Sequence, residues 1–232
     1  LGKIKTPHDS PLDFVSVPRM ILALITFSFV VYLVPGMFGA PLKALSGYLP
    51  PQNTHDFDIQ HEIQLAMGIE NKTCGEPRYG DILHLPHNLN GCFDYEQGMA
   101  CAKELGKPVF IDFTGHGCVN CREMEANVWS DPAVLKMLRE DFVVIALYVD
   151  DKTQLPEKDW YVSKYDGKKK KTIGAQNADR QICEYDNNAQ PYYITLNHKG
   201  ELLHTPTAYN LEVSDFVKFL NDAKAEFAKS AK

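Results

Sequence analysis

The sequence has no excess of positive charge, since 24 lysines and arginines are set against 30 aspartates and glutamates, for a formal net charge of −6 at pH 7. A chain without a basic field lacks the usual means of attracting a polyanion, so no nucleic-acid partner is expected. Cysteine is scarce as well, with six residues in 232. A disulfide scaffold needs a denser set in a shorter chain, so an apolar core has to hold this fold.

Charge is absent altogether from residues 20–42, which read MILALITFSFVVYLVPGMFGAPL. A helix of about 20 apolar residues crosses a bilayer, so the run predicts a transmembrane helix, and Pro35 indicates that its regular part ends near Val34. A small excess of lysine and arginine before the run predicts a cytoplasmic N-terminal side and the rest of the chain outside. The first residue is Leu1, as expected of a processed chain or a piece of a longer one.

Two other interpretations of this apolar run are open. A cleaved signal peptide has a shorter apolar region, of about 7–15 residues. Asp9 and Asp13 before the run and Pro41 near its end also argue against cleavage. A buried helix of a soluble core normally carries a polar stripe, and this run has none.

The chain is expected to have four regions: an N-terminal flank (1–19), the transmembrane helix (20–42), a linker (43–92) and a globular domain (93–232). The linker is rich in proline, asparagine and histidine and lacks sustained periodicity, with a short strand expected around Ile59–Leu65. Its histidines have no tight ligand spacing and no cysteine in step, which favours loop residues over a metal site. They are His55, His61, His84 and His87.

The globular domain alternates predicted helices and strands. Helices are predicted from Asp94 to Leu105 with Gly106 at the end, at 118–128, from Ser130-Asp131-Pro132, and at 213–227. Apolar runs predict strands at 109–114, 142–149 and 192–196, the last turning through 197–200 into a return strand at 201–204. This order predicts an α/β architecture, a mixed central sheet with helices on both faces.

One pair of cysteines has a spacing that indicates a chemistry, in Cys118-Val119-Asn120-Cys121. The pair follows a strand and a glycine turn at a helix start, where free N–H groups and the helix dipole favour a thiolate, the nucleophile of disulfide exchange. Cys118 is predicted to attack and Cys121 to resolve the mixed disulfide. A structural zinc site needs four ligands and only His116 is nearby, so neither a metal nor another cofactor is expected.

Two acids are predicted to assist the cysteines. Asp112 lies within the apolar run VFIDF, where an acid is costly to bury without a purpose. Glu125 lies four residues after Cys121 and so on the same helical face, although the spacing alone fits a solvated acid equally well. A carboxylate here can exchange protons with the thiols, and its charge raises the thiol pKa, which makes the couple more reducing.

Pro191 heads the third apolar strand, a position that proline tolerates. The strand, turn and helix around the cysteine pair resemble those of thioredoxin-like folds, and this resemblance implies a cis-proline here that faces the pair and helps to bind the partner chain, although X–Pro bonds are usually trans. The residues expected to contact a partner are therefore Gln190 and Pro191, together with His116, Val119 and Asn120.

Two features lie apart from this site. The lysine run Lys168–Lys171 is interpreted as a solvated loop, with a docking patch for an acidic partner as the alternative. Cys101 falls in the predicted helix at 94–105 and Cys183 is expected to lie in a further helix before the third strand, and both are interpreted as small buried residues. With Cys74 and Cys92 they permit three complete pairings.

The stretch KPVFIDFTGHGCVNCREMEANVWSDPAVLKML resembles the C-terminal thioredoxin-like domain of the DsbD family, the thiol:disulfide interchange proteins of bacterial inner membranes. Cys118 and Cys121 match the family's redox pair, and Asp112 and Glu125 match its two active-site acids. The resemblance covers about residues 94–227, and the apolar run is similar to the last membrane helix of the family's electron-carrying domain. It implies a thioredoxin-like fold for the globular domain.

The resemblance also implies an activity, that of a protein-disulfide reductase. The family takes electrons from cytoplasmic thioredoxin across the membrane to periplasmic thiol–disulfide proteins, including factors that keep cytochrome c cysteines reduced. The expected partners are a membrane-embedded electron-carrier domain and such periplasmic proteins, with the domain on the periplasmic side of the inner membrane. The segment between Asp150 and Gln190 is long and lysine-rich for the family, so partner choice is expected to differ, and the preceding membrane helices are missing from this sequence.

Other functions remain open on the residues alone. A disulfide-donating oxidase or isomerase uses the same motif, although the two acids favour a reductase. A periplasmic Cu(I) chaperone would use His116, Cys118 and Cys121, since thiolates suit Cu(I), but no methionine or second histidine stands at a supporting spacing. An inert thioredoxin-like domain is disfavoured because the cysteine pair is intact.

Overall fold

The computed structural model describes residues 7, 14–40, 42–49 and 74–230. The strand predicted around Ile59–Leu65 lies outside these residues, as do His55 and His61. Helix α1 (Val17–Leu33) begins the described fold and continues into a 3-10 turn at Val34–Phe38. Because proline cannot continue the hydrogen-bonding of an α-helix, the regular helix ends where Pro35 predicts.

Helix α1 and its 3-10 turn form the candidate membrane span. The segment Val17–Phe38 has a mean hydropathy of 2.2, and 6% of it is buried against the rest of the chain. A core helix of a soluble protein would be mostly covered by other elements. By length, composition and exposure, this segment therefore fits a helix whose apolar surface lies in a bilayer.

A five-stranded mixed sheet forms the centre of the domain, in the spatial order β1-β3-β2-β6-β7, with a separate hairpin of β4 and β5. The strands are β1 (Gly91–Cys92), β2 (Val109–Thr114), β3 (Val143–Tyr148), β4 (Tyr161–Val162), β5 (Lys169–Lys170), β6 (Tyr192–Leu196) and β7 (Thr207–Ala208). Strands β1, β3 and β2 are parallel, whereas β6 and β7 are antiparallel to their neighbours. The carboxyl ends of the parallel strands therefore meet at one edge of the sheet.

Helices cover both faces of the sheet, and each face has its own apolar cluster. The helices after α1 are α2 (Tyr95–Leu105), α3 (Val119–Met124), α4 (Pro132–Glu140), α5 (Ile173–Tyr185) and α6 (Val213–Ser230). Strand β2 supplies Phe110 to the cluster that contains α3, α4 and α6, and Ile111 to the cluster that contains α2. Burial on both faces explains why the residues of β2 other than Asp112 and Thr114 are all apolar.

The predicted helix boundaries follow from their caps. The side chain of Asp94 accepts the N–H of Gln97 at 2.9 Å at the start of α2, and Gly106 ends that helix with a φ of 67°. Asp131 accepts the N–H of Ala133 at 2.9 Å at the start of α4. These caps satisfy backbone groups that a helix end otherwise leaves free.

Residues 74–92, which the sequence pattern assigns to the linker, belong to the packed domain. Leu83, Leu85 and Leu89 are buried in the core, and β1 pairs with β3. A two-residue strand is too short to give a periodic signal, so the pattern does not reveal it. A disulfide then fastens Cys74, at the start of this stretch, to α2.

The interpretation of the remaining cysteines needs correction. Cys101 is buried on α2 as expected, but it is bonded to Cys74 rather than free. Cys183 lies in α5, yet it is exposed, so its predicted burial is wrong. Cys92 is the buried free thiol, and burial raises its pKa to about 11.

Two local predictions in the second half of the domain also differ from the structure. The lysine run is not a simple loop, because Lys169–Lys170 pairs as β5 with Tyr161–Val162. The return strand predicted at 201–204 is reduced to a bridge between Leu202 and Leu196, and the second antiparallel strand forms later, at Thr207–Ala208.

Candidate active site

The cysteine pair lies at the edge where the parallel strands end. Cys118 is the N-cap of α3, it forms a disulfide with Cys121, and their Cα atoms are 5.2 Å apart. The N–H of Cys121 points at the Sγ atom of Cys118 at 3.1 Å, as the helix-start chemistry requires. Cys118 is partly exposed and Cys121 is 1% exposed, so an incoming sulfur can reach Cys118 alone.

The turn before Cys118 is held by two acids that the sequence analysis did not single out. Asp150, two residues beyond the end of β3, accepts the backbone N–H groups of His116 at 2.8 Å and Gly117 at 2.9 Å. Asp151 lies 2.8 Å from the Nε2 atom of His116, whose ring packs on Tyr148. The position of these two acids just after a strand parallel to β2 could have indicated their role, because the carboxyl ends of neighbouring parallel strands meet at one edge of the sheet.

Asp112 and Glu125 are both buried beneath the edge that carries the cysteines. Asp112 is 2% exposed in the middle of β2, and its Oδ1 atom has no hydrogen-bond partner among the described residues. Burial, and then the charge of Glu125, raise the pKa of Asp112 well above its usual value. Burial also raises the pKa of Glu125 to about 7, although the nearby guanidinium of Arg122 opposes this.

A buried arginine that was not predicted from the sequence, Arg122, pairs with Glu125 and lies near enough to Asp112 for its charge to act on both acids. Its Nη2 atom lies 2.6 Å from a carboxylate oxygen of Glu125 and donates to the hydroxyl of Thr114 at 3.3 Å. The side chain is buried, and its positive charge opposes the rise in the pKa of both Asp112 and Glu125. The three-residue spacing between Arg122 and Glu125 on one helix could have indicated this ion pair from the sequence. The result is an acid–base–acid cluster around the first turns of α3.

The predicted partner-contact residues lie around the same edge. The Gln190–Pro191 bond is cis, and Pro191 precedes Tyr192, which pairs with Phe113 near the end of β2. The side-chain amide of Gln190 donates to the carbonyl of Asn188 at 2.7 Å. His116, Val119 and Asn120 are exposed beside the cysteines. In the described part of the chain, no group of three or more His, Cys, Asp or Glu side chains is arranged to hold a metal ion.

Comparison with known families agrees with this architecture. Residues 88–197 match a family model described as thioredoxin-like. This chain carries a thioredoxin-like domain. The predicted fold class is therefore confirmed, and the thioredoxin-like domain has the fold of disulfide oxidoreductases.

Three known proteins are similar to parts of this chain. The thiol:disulfide interchange protein DsbD of Vibrio vulnificus (strain CMCP6) is 40% identical over 52 residues, which cover 22% of this chain and 9% of that protein. A DsbH oxidoreductase structure is 14% identical, covers 69% of this chain and 98% of that chain, and has a TM-score of 0.46. The reduced C-terminal domain of DsbD from Neisseria meningitidis is 20% identical, and the match covers 54% of this chain and 90% of that chain with a TM-score of 0.35.

Proposed function

We propose that this chain is a membrane-anchored protein-disulfide reductase. Its thioredoxin-like domain receives electrons from a membrane-embedded electron-carrier domain and passes them to periplasmic thiol–disulfide proteins, among them cytochrome c maturation factors. The partial similarity to DsbD and the apolar helix α1 support the membrane anchoring. The direction of electron flow, the partners and the periplasmic side of the inner membrane are all parts of the proposal.

The observation that carries the direction is the burial of Asp112 and Glu125 beside the helix of the cysteine pair. A carboxylate that becomes charged there opposes formation of a thiolate, so the dithiol form gains little stability from ionisation. A strongly oxidising pair needs the opposite, a reduced form stabilised as the thiolate. The acids therefore favour a couple that gives up electrons.

Electron delivery takes two exchange steps. The Cys118 thiolate attacks one sulfur of the partner's disulfide, which forms a mixed disulfide and releases one partner thiolate. The Cys121 thiolate then attacks the Cys118 sulfur, which closes the Cys118–Cys121 disulfide and releases the second partner thiolate. With a pKa of about 7, Glu125 is suited to take up the proton that Cys121 loses.

The reduction potential of the Cys118–Cys121 couple tests this proposal. The full chain in detergent is equilibrated with dithiothreitol or glutathione buffers, and the alkylated peptide that contains both cysteines is quantified by mass spectrometry. Because the readout is specific to this peptide, reduction of Cys74–Cys101 does not enter it. A matched double substitution, Asp112→Asn with Glu125→Gln, is expected to make the couple more oxidising.

The value of the potential separates the candidate functions. A potential near about −270 mV, or at least clearly below about −180 mV, supports electron delivery. A potential near about −120 mV would contradict the reductase and assign a disulfide donor. Absence of any reversible couple, with copper bound after purification under reducing conditions, would assign the cysteines to a metal chaperone.

A further inference from the structure

A second surface lies close to the active-site turn, and the exchange chemistry does not use it. We call this surface the basic hairpin, defined as residues 160–171, which include β4 and β5. Five lysines and one acid, Asp166, fall between positions 164 and 171, in a chain of 24 basic and 30 acidic residues. The basic hairpin is therefore a compact positive region, and the rest of the chain is more negative than the overall net charge of −6.

The basic hairpin is braced against the body of the domain. The hydroxyl of Ser163 donates to the buried carboxylate of Asp179 at 2.5 Å, and the ammonium of Lys170 lies 3.5 Å from the same carboxylate. The indole N–H of Trp160 donates to a backbone carbonyl at 2.8 Å. Of the five lysines, these contacts use Lys170 alone.

The outer side of the basic hairpin combines free positive charge with exposed apolar and aromatic groups. No ion pair involves its other four lysines in the part of the chain that the structure describes; they are Lys164, Lys168, Lys169 and Lys171. Tyr161, Val162 and Tyr165 are 40%, 59% and 67% exposed. The ammonium groups of Lys169 and Lys171 lie 5.7 and 4.8 Å from the centre of the Trp160 ring. Lysine beside tyrosine and tryptophan is typical of surfaces at the headgroup level of a bilayer.

The base of the basic hairpin adjoins the active-site turn. Asp150 and Asp151, which hold His116 and Gly117, begin the segment that leads into the hairpin. The base is closed where Leu155 donates its N–H to the carbonyl of Lys171 at 2.9 Å. A surface that the hairpin binds would therefore lie near Cys118.

The chain just beyond the apolar helix also reaches the cysteine pair. The N–H of Ala44 donates to the hydroxyl of Tyr32 on α1 at 3.2 Å. Gly47 lies so close to Val119 that a methyl group on its Cα would approach the Cγ1 atom of Val119 to 2.6 Å. Residues beside the end of the candidate span thus contact the residue that follows Cys118.

We propose that the basic hairpin binds the anionic lipid surface of the membrane that α1 enters, so that the active-site edge faces the bilayer. This inference rests on the membrane anchoring in the proposed function and specifies how the domain sits there. The lysines attract anionic headgroups, each strengthening partitioning by about fivefold near the surface, and the exposed Tyr161 and Tyr165 enter the interface, with the half-buried Trp160 beside them. An acidic protein would attract the same lysines, but the contact of Gly47 with Val119 favours the membrane.

Quenching of Trp160 by lipid tests the docking. The full chain is reconstituted in vesicles of phosphatidylcholine, or of phosphatidylcholine with phosphatidylglycerol, each with a quencher attached to the acyl chains near the headgroup. The chain has two tryptophans, and Trp129 is fully buried in the domain core, so quenching reports on Trp160. A Trp160→Phe chain gives the background. Quenching is expected to be about twofold or more stronger in the anionic vesicles and to fall at high salt.

Two substitution sets separate hairpin docking from a general charge effect. Glutamine at positions 164, 168, 169 and 171 is expected to reduce quenching in anionic vesicles to the neutral level. The control set removes four exposed lysines elsewhere, at 103, 136, 199 and 218, and is expected to behave as the wild type. Equal quenching in both vesicle types, or equal loss with the control set, would overturn the proposal.

A further comparison keeps this result independent of the redox function. A Cys118→Ser chain cannot deliver electrons through the Cys118–Cys121 pair, yet it is expected to show the same lipid-dependent quenching as the wild type. Failure of the redox function would therefore leave the docking result standing. If lipid has no effect and the hairpin glutamines instead slow exchange with a protein disulfide, the membrane proposal is wrong and the hairpin binds a protein.

Discussion

Glu125→Gln is expected to change how the stability of the domain depends on pH. Glu125 is buried at the end of α3, and its carboxylate pairs with the guanidinium of Arg122, so its ionisation takes place inside the protein. Glutamine has nearly the same shape and cannot ionise. The substitution therefore removes the titration of this carboxyl with little change in packing.

The expected magnitude follows from the pKa. Burial raises the pKa of Glu125 from 4.5 to about 7, against the opposing effect of Arg122. The folded chain holds this proton more tightly than the unfolded chain, so the stabilisation is fully present below pH 4.5 and is lost as the pH rises through 7. At about 1.36 kcal/mol per unit of pKa shift, the loss is about 3 kcal/mol. The variant is expected to equal the wild type at low pH and to exceed it by this amount above pH 7.

Urea unfolding of the full chain in detergent, with both disulfides kept oxidised, measures the difference. Fluorescence of the buried Trp129 reports the unfolding of the domain, in a Trp160→Phe background for both proteins. Glu140→Gln, on the exposed side of α4, is the matched control and is expected to give a curve parallel to the wild type. If the Glu125→Gln chain is less stable than the wild type at pH 8, the ion pair with Arg122 outweighs burial and the reasoning fails.

Three further outcomes are expected. Changing Cys74 and Cys101 to serine opens a loop of sequence separation 27 and should lower the free energy of unfolding by about 3–4 kcal/mol, and an unchanged urea midpoint would contradict this. With Cys183 also changed to serine, a reduced Cys121→Ser chain should accumulate a mixed disulfide between Cys118 and a cysteine of a protein disulfide, seen as a shifted band on a non-reducing gel, whereas Cys118→Ser in the same background should give none. Asp150→Ala removes the acceptor of two backbone N–H groups and should destabilise the domain by about 2–4 kcal/mol. The stability of an Asp150→Asn chain should lie between those of the alanine chain and the wild type. Wild-type stability of the alanine chain would refute this role.

Much of the fold was accessible from local signals in the sequence. Caps such as Asp94 and Asp131 act within one turn of their helix, so their position in the chain is enough to predict them. The cysteine pair is equally local, because a strand, a glycine turn and a helix start are contiguous. The importance of Asp112 could be predicted for another reason, because an acid is costly to bury in a strand whose other residues are mostly apolar.

The missed features depend on contacts between distant segments. Asp150 supports the Cys118 turn from the neighbouring strand β3, and only the parallel pairing of β2 and β3 brings it there. The disulfide of Cys101 likewise needs the path of residues 74–92, which has no periodic pattern. The predicted return strand at 201–204 failed because antiparallel pairing there is limited to a bridge at Leu202 before the chain reaches β7.

The exposure of Cys183 has a practical consequence for studies of this protein. In the oxidised chain four of the six cysteines are bonded and Cys92 is buried, so Cys183 is the single thiol that a reagent can readily label. It lines a groove of about 680 Å³ together with Tyr161 and Val162. A spin label or fluorophore attached there, without any engineered cysteine, would report on the surroundings of β4 while leaving the Cys118–Cys121 pair intact.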